Sequence, residues 1–390
     1  MSGPALVWPF DRSSVFDVPA AYARLRSDSP IHRVELPDGR EALLLTRYAD
    51  VRAVMNSATL SANVHLDGFP SVSAAALASK RLQRSFVRMD PPSHGRQRAL
   101  VSPEFMAARV RAYHIPIEAH SAELIHGIMS KGSTCDLVSS FARPLPARVV
   151  CDMLSVHVDE VAFVSQQVVQ WSTSERTSEV AAAGEQILRF LGKLLDMRNT
   201  AARDDLVERI RVQAASRDEA VQLLFLLVVS GFHTTANMIS LAVVVAIRYR
   251  LFDLINSRPD LLPAIVEEVL RFVSVAQHTA LRLAVEDTSL PSGMVMAGDA
   301  IIAPIPAANH DPAVFRQPRT FRVDRATSRH LAFGAGIHNC LGQRLARAEL
   351  GIALKTLAQR VPSLALAVPP NTLAYTSGAT FGLRALPVRW

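Results

Sequence analysis

No proline occurs between Pro146 and Pro259, which leaves room for a helix that crosses an entire domain without a break. Within that stretch Ser216 is followed three residues later by Glu219, the pattern of a capping box, and nothing stops the helix before Arg248. A helix over Arg217 to Arg248, rising 1.5 Å per residue, would span roughly 48 Å. Two apolar runs, LLFLLVV at 223–229 and MISLAVVVAI at 238–247, flank a polar middle of Ser230, Gly231, His233, Thr234, Thr235 and Asn237. About 20 apolar residues suffice to span a membrane, but a polar cluster at the midpoint is costly in lipid and useful beside an internal cavity. The stretch therefore reads as the core helix of a globular protein, with polar chemistry at its centre.

Other segments have different periods. IHRVEL and EALLLT, separated by Pro-Asp-Gly-Arg, read as a β-hairpin over about 31–46. From about 100 to 275 the text is helical, and after it Pro and Gly return around short strand-like pieces over 280–305 and toward the C-terminus. With no Gly/Ser-rich linker and no repeat, the expectation is one domain over 1–390, mainly α with small β-sheets. Apolar types at 49% and charged types at 20% exclude disorder. A net charge of +7 over 390 residues does not choose between nucleic acid, membrane and an acidic protein. Three widely spaced cysteines, Cys135, Cys151 and Cys340, exclude a disulfide framework and a structural zinc site. The start, MSGPALVWPFDRSS, lacks the basic flank and unbroken apolar run of a secretory signal, so a cytoplasmic protein is expected.

The segment HLAFGAGIHNCLGQRLARAEL, from His330 to Leu350, carries the most chemistry. A helix read from Leu341, Leu345, Ala348 and Ile352 puts Cys340 directly before its N-terminus, where free N–H groups and the dipole stabilise a thiolate. Gly334, Gly336 and Gly342 tolerate unusual φ and close approach of a flat ligand. Taken alone, a single cysteine is more often an inert core residue than a ligand. Here Phe333, Gly334, Gly336, His338, Cys340 and Gly342 match F-G-x-G-x-H-x-C-x-G at every fixed position, and the chain resembles the cytochrome P450 family.

The resemblance implies a P450-type fold, with haem b between the long central helix and the cysteine loop and Cys340 as the iron ligand. Thiolate ligation pushes electron density onto iron and favours O–O cleavage. Glu268 and Arg271 fit the family's E-x-x-R pair, and Arg325 in F-x-x-x-R is the implied third member of a structural cluster. MDPPSHGRQR at 89–98 resembles the D-P-P-x-H-x-x-x-R segment, which makes His94 and Arg98, together with Arg282 and His338, the implied partners of the haem propionates. Substrate contacts are implied for the loop from Asn63 to Phe69, the stretch around Trp171, Phe232 and His233, the segment Val275, Gln277, His278 and Thr279, and the turn at Thr380 and Phe381.

One departure matters. Where the family commonly has Ala-Gly-x-(Asp/Glu)-Thr-Thr, this helix reads Ser230-Gly231-Phe232-His233-Thr234-Thr235. Gly231 and Thr234 keep the expected catalytic groups, while His233 replaces the acid that helps supply protons. Three readings stay open: His233 relays protons, it packs or contacts substrate, or ordinary turnover is impaired. The expected function is oxidation of a secondary metabolite, aromatic or peptide-like, by hydroxylation or by oxidative C–C or C–N coupling. The alternative is a non-catalytic haem or ligand binder. Electrons are expected from a ferredoxin-type donor meeting Arg96, Arg109, Arg111, Arg344 and Arg347; neither nucleic acid nor membrane is an expected partner.

Overall fold

A computed structural model describes residues 6–71, 80, 82, 84–197, 205–278, 280–325, 329–376 and 378–390. The chain forms two compact units, each assembled from three stretches. The first comprises Met1–Ser73, Asp260–Cys340 and Ala374–Gly382, and the second Ala74–Pro259, Leu341–Leu373 and Leu383–Trp390.

A five-stranded sheet organises the first unit. The hairpin Ile31–Glu35 and Glu41–Leu45 pairs antiparallel from Ile31 against Leu45 to Glu35 against Glu41, as the sequence suggests. The inner strand of the hairpin runs parallel to Ala300–Ile302, which is followed across the sheet by Leu281–Ala284 and Leu60–Ser61. Side chains alternate across a pleated strand, and both faces of this sheet are covered. Leu44 and Ile302 meet Trp8, Tyr22 and Phe69 on one side. Leu43, Leu45 and Ile301 meet Val51, Val54 and Leu331 on the other. That is why EALLL reads as an unbroken apolar run. Helices Ala20–Asp28, Tyr48–Asn56, Leu262–Val273 and Ile305–Asn309 complete the unit; the first two and the last lie outside the region that sequence periodicity marks as helical.

The second unit is helical around Arg217–Arg248, whose ends fall where the capping box and the absence of proline put them. Ser216 accepts from the Glu219 N–H at 3.1 Å, and the Glu219 carboxylate reaches back to the N–H of Ala215 at 2.7 Å. The long helix packs against Pro144–Met153, Val161–Thr173, Thr177–Met197 and Gln343–Arg360. It alone among the described helices is long and apolar enough to cross a membrane, yet 83% of its most apolar window is buried, as in the core helix of a soluble fold. A small sheet of Thr134–Asp136, Pro387–Arg389 and Ala365–Leu366 closes this unit.

Candidate functional site

In the first unit the segment from Leu331 to Cys340 closes on itself. The Gly334 N–H donates to the Leu331 carbonyl at 2.8 Å, and the Cys340 N–H to the Phe333 carbonyl at 2.8 Å. The Asn339 amide caps the Phe333 and Gly334 carbonyls at 3.3 and 3.1 Å. Gly334 and Gly336 take φ of +70° and +69°, where a side chain is strained, and a Cβ on Gly336 would also run into the Met55 carbonyl. Gly342 has an ordinary φ of −77° and serves as the N-cap of Gln343–Arg360. The helix thus starts two residues later than the apolar spacing suggests, because Leu341 and Gly342 form a turn.

Cys340 is exposed, whereas Cys135 is half-buried and Cys151 buried. Burial raises the Cys135 thiol and pushes that of Cys151 up to about 12, so both bystanders stay protonated. Phe333 is half-buried and close to His330, with ring centroids 6.2 Å apart. His338 ends the short turn Gly336–His338, and Arg282 is buried on Leu281–Ala284 with Nη1 donating to the Leu281 carbonyl at 2.8 Å. Glu268, Arg271 and Arg325 meet. Arg271 donates bidentately to Glu268 at 2.7 and 2.7 Å, and Arg325 Nε donates to the same carboxylate at 2.9 Å.

In the second unit the middle of the long helix breaks its own burial. Ser230 and Thr234 are exposed and Leu227 and Gly231 half-buried, while residues 219–226 and 235–246 are buried. Spacings of three and four put those four residues on one face, an accessible stripe of two turns. The Thr234 hydroxyl donates to the Ser230 carbonyl at 2.7 Å, leaving its lone pairs to accept. A Cβ on Gly231 would lie 3.0 Å from Val150 Cγ2, so the missing side chain also admits the neighbouring helix Pro144–Met153. His233 faces inward. Asn237 Nδ2 lies 3.1 Å from its Nε2, and burial, with the Arg143 charge a smaller cause, lowers its pKa to about 4. His94 and Arg98 lie on Ser93–Val101, both beside the Phe86 ring at 5.8 Å. Taken unit by unit, these residues have the chemistry haem needs: in the first, an exposed cysteine in a glycine-shaped loop with Arg282 and His338 suited to carboxylates, and in the second, a stripe with Ser230, Gly231 and Thr234 that would admit a flat ring, with His94 and Arg98.

The remaining candidate residues sit as follows. Phe69 and Phe381 are buried, Phe69 in the sheet core and Phe381 between Tyr375, stacked at 5.0 Å, and Arg12, 4.2 Å above its ring. Phe232 and Trp171 are likewise buried, Trp171 edge-on to Phe225 at 5.2 Å. Val275 is buried, and Gln277 is buried with its amide donating to the Ser274 carbonyl at 2.5 Å. His278 is buried edge-on to Trp8 at 4.4 Å. These side chains are packed in the interior; Thr279 lies outside the described residues. In the same segments Ala276, Ala379 and Thr380 are more accessible, and two of them are alanines that carry no signal in a sequence. Arg96 is also removed from the basic face, since its charge is spent on Glu219, whose carboxyl it holds down to about 2. Arg347 is half-buried against Gln343, while Arg109, Arg111 and Arg344 are exposed.

The sequence model of the family described as Cytochrome P450 matches residues 253–362. Pentalenic acid synthase of Streptomyces avermitilis is 35% identical, covering 99% of this chain and 97% of that protein. Mycinamicin IV hydroxylase/epoxidase of Micromonospora griseorubida is 35% identical over 98% of each. Among solved structures, that of CYP105N1 from Streptomyces coelicolor A3(2) matches with a TM-score of 0.92 at 36% identity, covering 99% of both chains. Full-length relatives at this identity, the matching fold and the cysteine loop lead to one conclusion: the chain is a cytochrome P450, a haem-thiolate oxidoreductase of the monooxygenase class.

Proposed function

We propose that this cytochrome P450 hydroxylates a small secondary metabolite in the cytoplasm, with dioxygen and electrons from a ferredoxin-type donor, using haem b bound through Cys340. Haem with a thiolate ligand supplies the activation of dioxygen. Cys340 supplies the thiolate, being the exposed cysteine beside two whose thiols are held protonated. Arg98 and Arg282 would pair with the propionates, and His94 and His338 would add N–H donors.

The observation that carries the reading is the accessible stripe with Thr234 at its end. With its proton committed to Ser230, the Thr234 hydroxyl accepts, and so holds a water in place as a proton source. His233 does not store a proton at neutral pH, and its Nε2 is engaged by the Asn237 amide. His233 therefore orients this face of the helix, and protons arrive through water at Thr234. The alternative supply is the substrate itself, so neutral His233 also favours a second reading, oxidative C–C or C–N coupling. The substrate class we assign is a medium-sized aromatic or peptide-like natural product, lying against Ala276, Thr380 and the partly accessible Asn63.

Turnover under labelled dioxygen with a reconstituted redox chain tests this. One hydroxylated product carrying the label supports hydroxylation, an unlabelled coupled product overturns it in favour of coupling, and no product from any compound that shifts the haem band leaves the non-catalytic binder.

A further inference from the structure

Asn309 ends the short helix Ile305–Asn309 and is wholly buried. Buried amides need partners for their polar atoms, and Asn309 gives each of its own to a different part of the first unit. Its Oδ1 accepts from the Leu331 N–H at 2.7 Å, and the Leu331 carbonyl in turn opens the Cys340 loop by accepting from Gly334. Its Nδ2 donates to Ser274 Oγ at 2.8 Å. Those partners fix the amide's orientation, because the Leu331 N–H can only donate and the Ser274 hydroxyl proton goes to the Arg271 carbonyl at 2.7 Å. The Asn309 carbonyl accepts from Arg271 Nη1 at 2.9 Å. Ser274 itself sits at φ +47° and turns the chain out of Leu262–Val273 into Val275 to His278; its carbonyl accepts from Gln277 at 2.5 Å.

We propose that Asn309 is a positioning residue coupling the segment Val275 to His278 to the Cys340 loop, so that a ligand pressing on the segment alters the setting of the thiolate. The proposal rests on Cys340 being the iron ligand. One planar amide serves both segments in the buried interior, where leaving a donor or acceptor unmade is costly, so neither segment shifts without breaking a bond or moving the other.

The test compares wild-type holoenzyme with Asn309→Ala, Ser274→Ala, Gln277→Ala and the Ser274→Ala/Gln277→Ala double variant, reading the haem reduction potential and the carbon-monoxide difference spectrum. Ser274→Ala cuts one arm of the coupling and keeps the Leu331 bond, so the test survives if Asn309→Ala does not fold. Expected are a shifted potential in both Asn309→Ala and Ser274→Ala, and loss of the thiolate-type band about tenfold faster in mild denaturant for Asn309→Ala. Gln277→Ala is expected to shift the potential in the wild-type background and not beside Ser274→Ala. Wild-type potentials in Ser274→Ala and Asn309→Ala, or an equal Gln277→Ala shift in both backgrounds, overturn the coupling alone. A wild-type protein without the thiolate-type band overturns both the coupling and the ligand assignment beneath it.

Discussion

His233 shows how far burial rewrites a side chain's chemistry. Its ordinary pKa of 6.5 falls to about 4, so between those values the unfolded chain binds a proton that the fold refuses. Stability therefore rises with pH across that window and is lost as acid is added. From pH 7 to pH 5 the loss attributable to His233 is about 2 kcal/mol, and denaturant unfolding of His233→Asn is expected to show that much less acid sensitivity. Glu349 has the opposite sign. Wholly buried on Gln343–Arg360, its carboxyl is pushed from 4.5 to about 8, so the folded state holds the extra proton and stability falls as pH rises between those values. Glu349→Gln is expected to remove about 2 kcal/mol of the decline between pH 6 and pH 8; an unchanged slope would contradict it. At this scale the sequence revealed the atoms and hid their orientation. Cys340, Glu268 and Arg325 stand out by spacing, but nothing in FHTT shows that Phe232 and His233 turn inward while Thr234 is accessible. Asn309 gives no signal either, because an Asn before His-Asp-Pro reads as an ordinary turn residue.

Elements were legible where their stop signals are local. Ser216, Glu219 and a proline-free stretch define the long helix, and unbroken burial on a sheet covered on both faces explains the apolar text of Glu41–Leu45. Removing the cap by Ser216→Ala is expected to cost about 1 kcal/mol, read as a lowered unfolding temperature. Glu219→Ala is expected to cost more, because it strands Arg96 and Gln97 as well as the Ala215 N–H. Gln343–Arg360 starts two residues after the point the apolar spacing marks, since its cap is a glycine with no side chain to bond the first turn, and a turn holds Leu341 out of the helix. Helix Ile305–Asn309 was missed for a related reason: five residues are too few for a period to show.

Over the whole molecule, a sequence without linkers gave no boundary, and contacts group the chain into two units of interleaved segments that no linear composition could announce. In the second unit Arg109, Arg111 and Arg344 are exposed and Arg96 is neutralised by Glu219, so the first three are the cations that the proposed acidic donor would meet. Reduction by an acidic ferredoxin is expected to slow as salt rises, and Arg109→Glu/Arg111→Glu to slow it at low salt while Arg96→Gln leaves the salt dependence unchanged. Salt-independent reduction would exclude steering. The account stands most directly on the ligand of the iron, and the carbon-monoxide difference spectrum of the reduced protein measures it. The account predicts the long-wavelength band of a thiolate-ligated haem in the wild type, in Cys135→Ser and in Cys151→Ser, and its loss in Cys340→His. A wild type lacking that band, or a Cys340→His variant retaining it, would contradict the assignment.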